Sequence, residues 1–236
     1  MVRWLWVLGV VAASAFVTGV ALEMYWLRLL TKPIPVGCMA AWLWFREEEK
    51  GLYEWGILLG LLCSMGGDMF LELSAGMFVV GLGWFLTAHL FYVMAYTSAT
   101  RRAVVLQLLP FLGYGVALYA YMYGSIQQKF PRLVIPVALY TLVICCMMWR
   151  ASAMLQEADI RRQAAWSALL GAMIFASSDS VIALNKFVWP IPGARYVIIV
   201  TYWLGQLGIV RSVMRAEPAV LEAEGPKHRT YMQRAG

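Results

Sequence analysis

Apolar stretches about as long as a membrane-spanning helix recur along this chain, and two of them carry an aspartate well inside. Residues 58–73 read LLGLLCSMGGDMFLEL and include Asp68, whereas residues 169–184 read LLGAMIFASSDSVIAL and include Asp179. In both stretches a Leu-Leu-Gly sequence comes first, and the aspartate stands eight residues after the glycine. A carboxylate inside hydrocarbon costs roughly 3 kcal/mol on insertion scales, so an intramembrane acid indicates a functional site. We therefore predict two helices that each present one acid to a shared interior.

The composition agrees with a membrane protein throughout. The 236 residues are 62% hydrophobic and only 14% charged, whereas soluble domains contain about 25% charged residues. We predict an all-α, polytopic membrane protein with an eight-transmembrane-helix bundle. The predicted spans are 4–22, 29–45, 52–72, 77–96, 103–123, 133–149, 164–185 and 194–214.

The basic residues orient this bundle. Eight spans place both termini on one side, and most of the 19 lysines and arginines lie on that side. The positive-inside rule then predicts that both termini are cytoplasmic. Basic loops also explain the net charge of +6 without nucleic acid as a partner. We expect one bundle over residues 1–215, a disordered polar tail over 216–236, and a multi-pass location in the cell (inner) membrane.

The cysteine and histidine content argues against several kinds of functional site. The four cysteines lie in apolar runs without a Cys-x-x-Cys pair, and the chain has two histidines, His89 and His228. We expect no disulfide framework, no metal and no cofactor. A Ser/His/Asp mechanism also fits poorly, because the chain has no Gly-x-Ser-x-Gly elbow and no nucleophile near His89 in the sequence.

A mechanism with two carboxylates fits better. A low-dielectric interior favours the neutral form of a carboxylic acid, and two acids that face each other divide into a proton donor and a charged base. A structural role without catalysis remains open for each residue. The two acids could pair with Lys32 or cap broken helices, and Lys32 could extend towards the interface. His89, Tyr202 and Gln206 could form interhelical hydrogen bonds, and the serines could serve helix packing. We expect Glu72 to be an interfacial charge.

A set of short motifs extends over residues 30–206. They are Leu30-Thr31-Lys32-Pro33, Ser64-x-x-Gly67-Asp68, Gly83-x-Phe85-x-x-Ala88-His89-x-x-Tyr92, Gly171-Ala172-x-x-Phe175-x-x-Ser178-Asp179 and Tyr202-x-x-x-Gln206. By their order and spacing, these motifs resemble the lysoplasmalogenase (YhhN-like) family of integral membrane hydrolases.

The resemblance implies cleavage of the vinyl ether bond of lysoplasmalogens, which are lysophospholipids. The products would be a fatty aldehyde and glycerophosphoethanolamine or glycerophosphocholine. Protonation of a vinyl ether gives an oxocarbenium ion, a problem that glycosidases solve with two carboxylates. We therefore assign Asp68 and Asp179 as catalytic, without deciding which is the acid. The supporting or substrate-binding residues that the motifs imply are Lys32, Ser64, His89, Tyr92, Ser178, Tyr202 and Gln206.

Two other classes of function stay open. A proton-coupled transporter of lipids or small solutes would also place acids inside a helical bundle, and transporters often contain repeats. A lipid-binding scaffold without catalysis is the third interpretation. Release of aldehyde from a lysoplasmalogen by the purified protein would separate the enzyme from both.

Overall fold

A computed structural model of the protein describes residues 2–102 and 104–214, and within them the regular structure is helical. Four single turns of 3-10 helix adjoin the longer helices. The nine α-helices of the described part are α1 (Val2–Ala21), α2 (Tyr25–Thr31), α3 (Ile34–Trp44), α4 (Leu52–Leu73), α5 (Phe78–Ala99), α6 (Leu108–Lys129), α7 (Val134–Ala153), α8 (Arg162–Phe187) and α9 (Ala194–Arg211).

Six of these helices, α1 and α4–α8, are long and apolar enough to cross a membrane. Their outward faces are apolar as well: Val10 of α1 is 67% exposed and Val116 of α6 is 60% exposed. Large apolar surface of this kind is unfavourable in water and favourable against lipid chains. The chain is therefore an integral, multi-pass membrane protein.

The predicted second span, 29–45, is interrupted. α2 ends at Thr31, and α3 begins at Ile34 after Lys32 and Pro33. Pro33 and Pro35 have no amide hydrogen, so neither can donate to the carbonyl one turn earlier and continue the helix. The break places Lys32 between two helices rather than inside one.

Other boundaries differ by several residues. α6 occupies 108–129 rather than 103–123, and residue 103 lies outside the described residues. α8 continues to Phe187, so Asp179 stands eight residues before its end, whereas Asp68 stands five residues before the end of α4. The predicted tail, 216–236, also lies outside the described residues.

Two helix pairs, α4–α5 and α8–α9, form the centre of the bundle. Glycines let the members of each pair approach closely: a Cβ at Gly60 would lie 2.2 Å from the Tyr92 ring, and one at Gly171 would lie 2.6 Å from the backbone nitrogen of Ile209. Each pair begins with one helix of the repeated Leu-Leu-Gly motif. The two glycines of that motif therefore explain why each acid-bearing helix lies against the helix that follows it.

Candidate active site

Asp179 is held by side chains from two other helices. Tyr140 of α7 donates its hydroxyl hydrogen to Asp179 Oδ2 over 2.5 Å. His89 of α5 places Nε2 3.6 Å from the same oxygen. The Asp179 side chain is 10% exposed and that of His89 is 1% exposed.

The hydrogen bond of His89 to the backbone determines which of its ring nitrogens carries a hydrogen and which one faces Asp179 without a hydrogen-bond partner. His89 Nδ1 lies 2.6 Å from the carbonyl oxygen of Phe85, and because a carbonyl only accepts, Nδ1 carries a hydrogen. Nε2 is buried and has no hydrogen-bond partner among the described residues. A lone pair on Nε2 and an ionised carboxylate at this distance would repel each other, so one proton belongs to the His89–Asp179 pair as a unit.

Asp68 has a separate and more enclosed setting. Its side chain is buried, and Tyr202 of α9 donates a hydrogen bond to Oδ2 over 2.7 Å. Lys32, a cation on this side of the bundle, forms an ion pair with Glu72 over 3.5 Å. No hydrogen bond or ion pair joins Asp68 to Asp179 within residues 2–102 and 104–214.

Phe175 of α8 packs against the partners of both acids. Its ring centroid lies 4.7 Å from that of His89 and 5.4 Å from that of Tyr202. Each acid is thus paired across the two helix pairs, since Asp68 of α4 meets α9 and Asp179 of α8 meets α5. This reciprocal arrangement brings the two acid clusters to one aromatic layer.

A third polar cluster connects α4, α5 and α9. Gln206 Nε2 donates to Ser64 Oγ over 2.9 Å, and the Tyr92 hydroxyl donates to Gln206 Oε1 over 2.7 Å. All three side chains are buried. Their mutual hydrogen bonds match the interhelical role that the sequence left open for Gln206.

Two cavities that share part of their lining lie along α8, and one of them reaches Asp179. One is apolar, about 60 Å³, and has Asp179 and Tyr140 in its wall. The other, about 300 Å³, has charged residues in its wall. Both cavities are lined by Leu71, Phe78 and Ile182. Asp68 lines neither, so only Asp179 of the two acids is accessible to a ligand in these spaces.

The structure brings most of the predicted residues to this centre, but not all. Ser178 turns away from both acids and donates to the backbone carbonyl of Ile198 over 2.9 Å. Lys32 lies in the charged cavity with Glu72, which is 5% exposed and pairs with several cations rather than standing alone at the interface.

Tyr140 is the residue that the sequence did not identify. It lies within the predicted sixth span, outside the motifs, and its only signal is a phenol hydroxyl in an apolar segment.

No group of three or more His, Cys, Asp or Glu side chains with metal-binding geometry occurs in the described part of the chain.

The chain is similar over most of its length to the YhhN family and to proteins named lysoplasmalogenase. A model of the YhhN family matches residues 27–213. Human (Homo sapiens) lysoplasmalogenase TMEM86B is 36% identical over 195 residues, which cover 82% of this chain and 78% of that protein. Human lysoplasmalogenase TMEM86A is 33% identical over 207 residues, or 83% of this chain and 81% of its own.

The rat (Rattus norvegicus) lysoplasmalogenase TMEM86B is 31% identical over 191 residues, or 81% of this chain and 75% of its own. No solved structure is detectably similar. The matched residues include all five sequence motifs, from Leu30 to Gln206. The chain belongs to the YhhN family.

Proposed function

We propose that this protein is a lysoplasmalogenase, a hydrolase that cleaves the vinyl ether bond of a lysoplasmalogen. The products are a fatty aldehyde and glycerophosphoethanolamine or glycerophosphocholine. The names of its relatives support the reaction. The observation that carries the assignment of the site is Asp179, held by Tyr140 and beside His89, in the wall of an apolar cavity.

The proposed reaction begins with proton transfer from Asp179 to the β-carbon of the vinyl ether. The resulting oxocarbenium ion is stabilised by the Asp179 carboxylate, which keeps its hydrogen bond from Tyr140. A water then adds to the cationic carbon and gives a proton to the Asp179 carboxylate. As the hemiacetal collapses, Asp179 protonates the leaving glycerol oxygen and takes the proton of the hemiacetal hydroxyl. His89 is buried and lines neither cavity, so it acts on Asp179 rather than on the water. The net change is addition of one water, and Asp179 regains its starting state.

Asp68 is the second acid of the proposal. Its bond from Tyr202 and its absence from both cavity walls support an action through Tyr202 and Phe175 rather than contact with substrate. We assign Asp68 to positioning this aromatic wall and to the electrostatics of the site. That assignment differs from the sequence-based expectation that Asp68 and Asp179 form one catalytic pair facing each other.

We further propose that α2 and α3 together cross the membrane once, as does α9. With the six longer helices they give eight spans with both termini in the cytoplasm, in the inner membrane of the cell. The excess of basic residues on the terminal side supports this orientation. Reporter fusions after Gly51, Ala99 and Arg161 should report cytoplasmic loops, and one after Lys129 should report the opposite side.

The decisive experiment is product analysis with the full chain in detergent. Vinyl ether, alkyl ether and acyl lysolipids should be compared as substrates. Aldehyde should appear with the vinyl ether lysolipid alone, and treatment of the protein with a metal chelator should not prevent its release. Asp159→Asn changes an exposed acid and is the control for the site variants. Movement of the lipid across a vesicle membrane without any aldehyde would contradict the enzyme and favour a transporter.

A further inference from the structure

The charged cavity holds more positive charge than its own residues neutralise. Glu72, near the end of α4, pairs with Arg28 Nε over 2.8 Å, Lys32 Nζ over 3.5 Å and Arg195 Nη1 over 3.6 Å. One carboxylate therefore faces three cations, of which Lys32 and Arg195 line the cavity. Lys186 of α8 is the third cation in the cavity wall, and it forms no ion pair with any described residue.

Two aromatic rings lie beside the Lys186 ammonium group. Its Nζ lies 4.9 Å from the ring centroid of Phe78 and 5.7 Å from that of Phe130. Aromatic faces stabilise a cation without neutralising it. Like charges gathered at the helix ends repel one another, and a bound anion relieves that repulsion.

We propose that this cavity binds the phosphodiester of a lysophospholipid, with Lys186, Lys32 and Arg195 as its cationic contacts. The proposal rests on the proposed function and adds the part of the site that recognises the headgroup. The volume, about 300 Å³, is at the lower end for ligand pockets in proteins. Glu72 holds Lys32 and Arg195 in place and also faces the positively charged amine of an ethanolamine or choline headgroup.

The spacing along α8 agrees with one lipid occupying both cavities. Asp179, Ile182 and Lys186 follow one another at intervals of three and four residues, so they lie along one face of the helix. The rise from Asp179 to Lys186 is roughly 10 Å. In a lysoplasmalogen, seven covalent bonds separate the β-carbon from the phosphorus, about 8 Å in an extended chain. A phosphodiester at Lys186 therefore places the vinyl ether beside Asp179, past the shared wall at Ile182.

The test is a binding measurement that needs no catalysis. The probes are an alkyl ether lysophosphocholine, which lacks the reactive double bond, and the alkylglycerol with the same chain and no phosphate. The full chain in detergent should prefer the phosphate-bearing probe by about tenfold or more. The Lys186→Gln/Arg195→Gln double variant should lose that preference and keep its affinity for the alkylglycerol.

Two further variants separate a binding role from damage to the fold. Lys186→Arg/Arg195→Lys retains both charges and should retain the preference. Arg132→Gln removes an exposed cation near the end of α6 and should leave binding unchanged. Equal binding of both probes by the wild type, or an unchanged preference in the Gln double variant, would overturn the proposal.

The source of the phosphate and the dependence on catalysis are tested separately. Inorganic phosphate that displaces the lysolipid probe at equal concentration would overturn the lipid assignment. Phosphate-dependent binding without aldehyde release from a lysoplasmalogen would refute the hydrolase and keep this site. Aldehyde release without any phosphate preference would refute this site and keep the hydrolase.

Discussion

Asp68 and Asp179 occupy the same position of a repeated motif, yet a ligand can reach only one of them. Asp68 is enclosed between α4 and α9 and takes a hydrogen bond from Tyr202. Asp179 takes one from Tyr140, has His89 beside it, and forms part of a cavity wall. The difference arises from the neighbouring helices, because α6 and α7 leave an apolar space beside α8.

The comparison separates what the repeat builds from what it leaves free to differ. In both helix pairs a glycine allows close approach, and about two turns later an acid meets a partner from the other pair. The chemistry then depends on access. Under the proposed mechanism, one cluster maintains the geometry of the aromatic layer and the other faces the substrate.

Loss of the accessible acid should have the largest effect. Asp179→Asn removes the proton donor, so we expect kcat for aldehyde release to fall about 10²–10⁴-fold, the range for general acid catalysis. Unfolding temperature in detergent should change little. Activity within about threefold of wild type, measured in a folded sample, would contradict the assignment of Asp179.

Adding a side chain at Gly171, where α8 and α9 are in close contact, should have the second largest effect. A Cβ at Gly171 would meet backbone atoms of α9, which cannot move aside as a side chain can. We expect Gly171→Ala to lower the free energy of unfolding by about 1–3 kcal/mol, and Gly60→Ala, which meets the Tyr92 ring, to lower it less. Gly83→Ala is the control, because nothing lies within 4 Å of its Cβ position. Equal stability of the Gly171 and Gly83 variants would argue against close packing of α8 and α9.

Loss of the enclosed acid should have a smaller effect on turnover than loss of Asp179. We expect Asp68→Asn to reduce kcat about tenfold, because an amide replaces the carboxyl group that accepts the Tyr202 hydroxyl hydrogen. Tyr202→Phe should act on the same unit, so the double variant should resemble either single variant. A loss as large as that of Asp179→Asn, with additive effects, would mean that Asp68 acts on the substrate directly.

The smallest effect is expected at Ser178. Its hydroxyl bonds the Ile198 carbonyl across α8–α9, and such bonds contribute about 0.6 kcal/mol on average in membrane proteins. Ser178→Ala should therefore lower the unfolding temperature slightly and leave kcat unchanged. Ser177→Ala is matched, since Ser177 is exposed and bonds Met173 within its own helix. A selective loss of kcat in the Ser178 variant would place it in the reaction.

The sequence predicted the acid-bearing helices because their signal is local, and it predicted the family because the order and spacing of the motifs can be read directly along the chain. A run of apolar residues with a single aspartate needs no knowledge of its neighbours. Tyr140 and Glu72 were harder to interpret because their roles depend on residues far along the chain. Tyr140 meets Asp179 from a different helix, and Glu72 meets cations from α2 and α9. Periodicity places a residue on a helix, but not opposite a particular partner.

The interruption at Lys32 and Pro33 shows the same limit at the level of the backbone. A proline early in a span is compatible with an unbroken helix that begins there. Here the preceding turn is also helical, so the missing amide hydrogens divide the segment in two. Composition alone does not distinguish a continuous helix from a divided one, because both contain the same residues in the same order.

The wall shared by the apolar and charged cavities, formed by Leu71, Phe78 and Ile182, has a consequence for what happens after bond cleavage. Under the proposed binding mode, the intact lipid occupies both cavities, whereas each product occupies one. The aldehyde dissolves in the bilayer and the glycerophosphodiester in water, so they would leave in opposite directions. Such separation would keep the aldehyde away from the primary amine of a released glycerophosphoethanolamine, with which it could otherwise condense.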